Sequence, residues 1–372
     1  MKIAGIKVWL LRTPIKMRRR HGVGDIETMM PSVIVRLSTD EGIQGWGEAS
    51  PWVVFTGTAE ACASGIDVYL RPILMGADPF RMNAIMDRCA HALVGHPEAK
   101  AAVEAALLDI VGKASGQPVC NLLGGRVRDT IPLSCSVADP DFEADMDWVK
   151  ARIADGIRIF KVKTGFLDHA QDLKRMERLR SDLPSDIDLR IDYNQGLEPW
   201  DALAKVRDME QFKPTFIEQP VPRPHRHALA EIARAIDTPI MADESCFDPE
   251  EAVECVRLRC ADLFAVKIMK AGGIRRAQAV AEIGAAAGIA CYGGTMFEGG
   301  LAIAAGAHLV GATQNISLGA EFYTARFVLA EDVLEEPLAM QDGCTVVPTG
   351  PGLGVVVDEA KVRKYAVQEA GQ

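Results

Sequence analysis

Long apolar runs are missing from this chain. None reaches the ~18 residues a membrane-spanning helix requires, because polar or charged residues break up each alanine-rich stretch. Paired cysteine motifs are missing too: nine cysteines are scattered without a Cys-x-x-Cys, and the odd total leaves at least one unpaired. That usage suits a reducing compartment and excludes a disulfide scaffold or a soft-metal cluster. Excess positive charge is absent, with Lys and Arg numbering 41 against 51 Asp and Glu for a net charge of −10. Nucleic acid and anionic membrane surfaces are therefore poor partners. The double glycines fit neither a dinucleotide fingerprint nor a phosphate loop, so no nucleotide cofactor is implied. Met1 to Leu11 alternates like a strand and carries no signal-peptide core, so a cytoplasmic location is expected.

What is present is enough apolar material, 48 % of 372 residues, for one large domain and a smaller one. Ile3–Leu11, Ser32–Ser38 and Gln44–Glu48 read as strands around a Thr39-Asp40-Glu41-Gly42 turn, and Ala99–Ser115 has helical apolar spacing. An α+β unit over 1–127 is expected, with a helix stop near Leu122-Leu123-Gly124-Gly125. From Ile131 short apolar strands alternate with amphipathic helices: Ile131–Ser136, Ile159–Lys163, Leu189–Asp192, Thr215–Glu218, Ile240–Asp243, Leu263–Lys267, Ala290–Tyr292 and one before Glu321. Eight such strands predict a parallel barrel over 128–330, and the tail 331–372 is expected to return to the first unit.

Charged residues mark the ends of successive strands. From Lys163 to Asp192, Glu218, Asp243 and Lys267 the steps are 29, 26, 25 and 24 residues. Each step fits a loop, a helix, a return loop and a strand, which puts every group at the carboxyl end of a barrel strand, where such enzymes assemble their active sites. Asp192, Glu218 and Asp243 on neighbouring strands read as oxygen ligands for a hard cation such as Mg²⁺ or Mn²⁺, with Asn194 and Glu244 behind them. Lys161 and Lys163 point to one face of their strand. Mutual repulsion is expected to lower the pKa of at least one of them, as a general base requires. Lys267 comes from across the barrel mouth. A carboxylate substrate on the cation would meet a lysine on each side, and loss of its α-proton would give a stabilised enediolate.

The segments Phe160-Lys161-Val162-Lys163, Ile191-Asp192-Tyr193-Asn194-Gln195, Phe216-Ile217-Glu218-Gln219-Pro220, Pro239 to Ser245 and Val266-Lys267 together resemble the enolase superfamily. Within it the chain is most similar to the muconate-lactonizing (muconate cycloisomerase) subgroup of the mandelate racemase/muconate lactonizing enzyme family. The resemblance implies a modified TIM barrel, (β/α)7β, with an α+β N-terminal capping domain completed by the C-terminal tail. It implies Asp192, Glu218 and Asp243 as metal ligands, Lys163 and Lys267 as the acid/base pair and Lys161 as the tuning lysine. Cys291-Tyr292-Gly293-Gly294 stands where mandelate racemase-like members carry histidine, and Gly319-Ala320-Glu321-Phe322-Tyr323 replaces the Asp-x-Asp of dipeptide epimerases. A cycloisomerase of muconate-type dicarboxylates is the leading expectation. An N-acyl amino acid racemase or epimerase, an o-succinylbenzoate synthase and an acid dehydratase are alternatives, and a non-catalytic metal-binding barrel is the reading from another class. Arg19, Arg20, His21, Trp52, Phe55, Glu321 and Phe322 are the expected substrate contacts, Gly22-Val23-Gly24 is read as a mobile loop, and relatives imply a homo-oligomer, a dimer or an octamer.

Overall fold

The computed structural model describes residues 1–371. An antiparallel sheet opens the chain, its strands ordered Ala366–Gly371, Ile3–Pro14, Met29–Thr39, Gln44–Ala49. The strands run longer than the alternation in the sequence indicates, because their ends continue pairing beyond the apolar stretch, with Pro14 opposite Met29. Helix Pro97–Ser115 packs on Gln44–Ala49. Gly45 and Gly47 allow that contact: a Cβ on Gly47 would lie 1.9 Å from the Ala102 carbonyl oxygen, and one on Gly45 2.1 Å from that of Ala106.

Eight parallel strands in sequential order form the second sheet. They are Ser134–Val137, Ile159–Lys163, Asp188–Asp192, Ile217–Glu218, Ile240–Ala242, Leu263–Val266, Ala290–Gly293 and Ile316–Ala320, called here the first to the eighth barrel strand. A parallel bridge between Leu133 and Ala320 joins the eighth to the first and closes the barrel. Helices Phe142–Ala154, His169–Asp182, Ala202–Glu210, Arg226–Ala235, Pro249–Leu258, Ile274–Ala287 and Gly300–Ala312 fill the intervals. Asp141, Asp168 and Asp248 cap three of them by accepting backbone N–H bonds. Only the short turn Thr324–Phe327 takes the place of a helix after the eighth strand, so the architecture is (β/α)7β, as the family resemblance implies.

Strand geometry then decides what faces inward. Side chains two apart share a face, so Phe216 lies beneath Glu218, Met241 beneath Asp243 and Ala265 beneath Lys267. Phe216, Met241, Ala265 and Tyr292 pack together as an apolar floor, while the charged set sits one layer higher, at the carboxyl ends.

The tail takes two steps. Met340–Gln341 and Cys344–Val346 pair beside Thr130–Pro132 at the foot of the barrel, and only then does Ala366–Gly371 reach the first strand of the opening sheet. Residues 19–26 form a hairpin, Arg19–His21 against Gly24–Ile26, where the glycines predicted a mobile loop. Gly22 seats it on the barrel: a Cβ there would lie 2.2 Å from the Tyr193 carbonyl oxygen. Among the described residues no helix is long and apolar enough to cross a membrane.

Candidate active site

The carboxyl ends of the barrel strands bring Lys161, Lys163, Asp192, Glu218, Asp243 and Lys267 together, all of them buried. Lys163 Nζ lies 2.5 Å from Asp192 Oδ2, and Lys267 Nζ lies 2.6 Å from Asp243 Oδ2. Lys161 is wedged among three acids, 2.6 Å from Glu218, 3.0 Å from Asp192 and 3.1 Å from Glu321. Lys270, on the short helix Ile268–Ala271, donates to both the carbonyl and Oδ1 of Asp243 at 2.7 Å. Lys163 and Lys267 come from the second and sixth strands of eight, so they face each other across the barrel mouth.

Burial opposes charge on each of these groups, and the neighbours decide the outcome. For Asp192, burial is outweighed by Lys161 and Lys163, and its pKa falls below the usual carboxylate range. For Asp243, Lys267 and Lys270 do the same. Glu218 goes the other way: burial and the Asp192 charge push it well up, and Lys161 does not make up the difference. Glu244 is raised to about 8 by burial and by Asp243 and Asp192. The sequence-based expectation that lysine repulsion lowers a pKa does not describe Lys161. Burial lowers it, but Asp192, Glu218 and Glu321 more than reverse that and hold it well above the ordinary lysine value.

Among the described residues no three acidic, histidine or cysteine side chains already converge as they would around an ion. The carboxylates are turned onto ammonium groups instead. The donor set nevertheless fits a hard cation. Glu218 Oε1, Glu244 Oε2 and Asn194 Oδ1 are buried oxygens without a hydrogen-bond donor, and such atoms are costly to leave unpaired. Five carboxylates, Asp192, Glu218, Asp243, Glu244 and Glu321, meet four ammonium groups, Lys161, Lys163, Lys267 and Lys270. The oxygens left over are the kind that Mg²⁺ or Mn²⁺ takes. Backbone strain marks the same place: Asn194, Gln195 and Gln219 follow the acids with φ of 42°, 66° and 35°, left-handed values that non-glycine residues rarely adopt.

Above the lysines lies a small pocket of about 20 Å³. His21, Trp52, Phe55 and Glu321, four of the expected substrate contacts, line it together with Asn194. The His21 ring meets Trp52 and Phe297 edge-on at 5.1 and 5.2 Å. Burial, then the Lys163 charge, pushes its pKa well down, so the imidazole is neutral. Three expected contacts lie elsewhere. Arg20 turns outward to Asp25 and over Phe166, because on its strand only Arg19 and His21 point inward. Arg19 is buried, with its guanidinium 4.8 Å from the Trp148 ring, and does not line the pocket. Phe322 packs behind the barrel wall against Gly306, and Tyr323 takes the pocket position instead. Sequence reasoning missed Lys270, Ser136, Phe297 and Tyr323. Only Lys270 left a signal, its spacing of one helical turn from Lys267.

Residues 6–124 match the family described as mandelate racemase/muconate lactonizing enzyme, N-terminal domain, and residues 145–361 match enolase C-terminal domain-like proteins. The chain belongs to the mandelate racemase/muconate lactonizing enzyme family. It is an isomerase of the enolase superfamily. A crystal structure of a muconate cycloisomerase from Azorhizobium caulinodans is 49% identical, covers 98% of each chain and superposes with a TM-score of 0.86. N-succinyl Arg/Lys racemase from Bacillus cereus is 31% identical over the full length of both chains, with a TM-score of 0.95. L-Ala-D/L-Glu epimerase of Bacillus subtilis is 35% identical over 360 residues, 96% of this chain and 97% of that one. The family thus includes members of both cycloisomerase and racemase or epimerase type.

Proposed function

We propose that this protein is a divalent-metal-dependent muconate cycloisomerase that converts cis,cis-muconate to muconolactone. Glu321 carries the choice. Both of its oxygens are engaged within the protein, Oε2 with Lys161 at 3.1 Å and Oε1 with the Ser136 hydroxyl at 3.1 Å. With its charge already turned onto Lys161 and with Tyr323 where a second acid would stand, it forms no acidic pair for an α-ammonium group, which disfavours dipeptide epimerisation. The 49% identity to a muconate cycloisomerase points the same way.

Asp192, Glu218 and Asp243, with Asn194 and Glu244 behind them, would hold Mg²⁺ or Mn²⁺, which would supply Lewis-acid stabilisation to a substrate carboxylate. The substrate's other carboxylate forms the new C–O bond within the same molecule. The displaced diene electrons move to the carbon next to the first carboxylate, which then takes a proton from Lys163. Asp192 fixes the Lys163 ammonium in place. Burial opposes charge on Lys267, but Asp243 and Glu218 raise its pKa above the ordinary value, so it remains an ammonium group and acts as an electrostatic neighbour. No external base is required. His21, Trp52, Phe55 and Phe297 give the diene an apolar wall and exclude water.

Racemisation of an N-acyl amino acid is the second reading. It is favoured by the placement of Lys163 and Lys267, each on its own aspartate and on opposite sides of the mouth. Turnover in deuterated water separates the two: a cycloisomerase incorporates deuterium into the lactone, whereas a racemase labels both enantiomers of its substrate. Deuterium exchange into N-succinyl amino acids without any reaction of muconate contradicts the proposal.

A further inference from the structure

The pocket over the lysines, at about 20 Å³, has room for about one water molecule and not for a six-carbon dicarboxylate. Beside it lies a cleft of about 750 Å³, within the range of small-molecule sites. Phe55 lines both spaces. Its ring stacks on Phe247 at 5.2 Å and 9°, and Lys267 Nζ sits 5.0 Å from its centroid. The two phenyl rings thus form a partition between the enclosed lysines and the open cleft.

The charges of the cleft are unequal. Lys100, Arg223, Lys270, Arg275 and Arg276 line it against only Glu104 and Asp248. Three of these cations are already paired: Arg223 with Glu251, Lys270 with Asp243, and Arg276 with Glu250. Two are not. Among the described residues Lys100 Nζ donates only to the Leu93 carbonyl, at 3.1 Å, and the Arg275 guanidinium donates to the neutral Asn83 side chain. Burial, then the neighbouring Arg276, lowers the pKa of Lys100, and the nearby Glu98 charge does not make up the difference.

The partition is also built to move. Phe55 rides on a turn whose Phe55, Thr56 and Gly57 N–H groups all donate to one acceptor, the Trp52 carbonyl, at 2.8, 2.9 and 3.2 Å. The turn ends at Gly57, with φ of 134°. Such a turn can pivot as a unit without losing its internal bonds; Val53 at its tip is 68% exposed, and what holds the turn closed is the ring contacts of Trp52 and Phe55.

We propose that this cleft is a receiving site for an anionic substrate, with Lys100 and Arg275 binding a carboxylate outside the Phe55–Phe247 partition before the turn swings and admits it to the lysines. The proposal rests on the reading of the substrate as a dicarboxylate. It adds the route, the second carboxylate site and the two residues that form it.

Two measurements test it. The first needs no turnover: Lys163→Ala protein with Mg²⁺ is treated with acetic anhydride, with and without cis,cis-muconate, and acetylation of Lys100 is read by peptide mass spectrometry. Protection of Lys100 that is lost in the Lys163→Ala/Arg275→Gln protein supports the proposal. Equal acetylation with and without muconate overturns it, whatever the protein's activity. The second is steady-state kinetics of Lys100→Gln/Arg275→Gln, for which kcat/KM falls about tenfold at low salt, its salt dependence flattens, and kcat holds. An unchanged kcat/KM and salt profile in a folded variant overturns the proposal while leaving cycloisomerisation intact. Protection of Lys100 in a protein that never consumes muconate keeps the cleft and discards the cycloisomerase.

Discussion

Asp243 binds two lysines, and Glu218 shares one lysine with two other acids. The two carboxylates therefore respond differently to neutralisation. Asp243→Asn strands the ammonium groups of Lys267 and Lys270 in a buried site and is expected to cost about 3–5 kcal/mol. Glu218→Gln removes a charge that burial already disfavours and leaves Lys161 with Asp192 and Glu321, so its cost is expected to stay within ~1 kcal/mol. Thermal unfolding in EDTA reads this contrast. On adding Mg²⁺ the wild type gains a few degrees by mass action and both variants lose that gain. Equal melting temperatures for the two variants in EDTA contradict the assigned pairing. At this scale the sequence was informative wherever a residue ends a strand, because the even spacing of charged residues locates Lys163, Asp192, Glu218, Asp243 and Lys267 without further help. It was uninformative where inward and outward alternate over three residues, as at Arg19-Arg20-His21 and Glu321-Phe322-Tyr323. No spacing rule sets the phase of so short a segment; contact with the barrel does.

Elements meet through single buried contacts that the sequence does not announce. Glu48, on the opening sheet, accepts from the Gly299 and Ala302 N–H groups and so caps helix Gly300–Ala312 behind the barrel. Burial raises its pKa from 4.5 to about 7 despite those bonds. A carboxyl with a raised folded-state pKa holds its proton more tightly in the native chain. Its contribution to stability is fully present below the unfolded value of about 4.5 and is lost as pH rises through about 7. Glu48→Gln is free of that loss, so its melting temperature relative to wild type is expected to rise between pH 5 and pH 8, by up to about 3 kcal/mol of stability. A difference independent of pH contradicts the shift. Gly47→Ala is expected to cost at least ~1–3 kcal/mol, since the added methyl meets the Ala102 backbone rather than a movable side chain. Urea unfolding measures it, and an unaffected midpoint contradicts the close helix–strand packing. Helix Pro97–Ser115 was readable because its apolar period is long, and the short barrel strands because they recur between amphipathic helices at an even spacing. The hairpin at 19–26 was not: Gly22 is needed for close approach to the Tyr193 turn, and composition alone reads the same residue as flexibility.

Across the whole molecule, one layer of the barrel mouth carries the chemistry and the opening sheet with its hairpin and turn covers it. The parallel barrel was legible because its units repeat a short apolar strand and the second to the sixth of them carry a charged residue at the carboxyl end. The closed arrangement of the lid was not, since it depends on ring contacts between distant segments, Phe55 stacked on Phe247 and Trp52 edge-on to Phe297. The claim that joins these parts is proton delivery by Lys163 to a dicarboxylate held at Asp192, Glu218 and Asp243. The most direct test follows the loss of cis,cis-muconate absorbance with Mn²⁺ present, repeated with EDTA and with Lys163→Ala. The account predicts turnover that EDTA abolishes and that Lys163→Ala lowers by roughly 10²–10⁴-fold. Undiminished turnover in Lys163→Ala, or none in intact metal-loaded wild type, contradicts it.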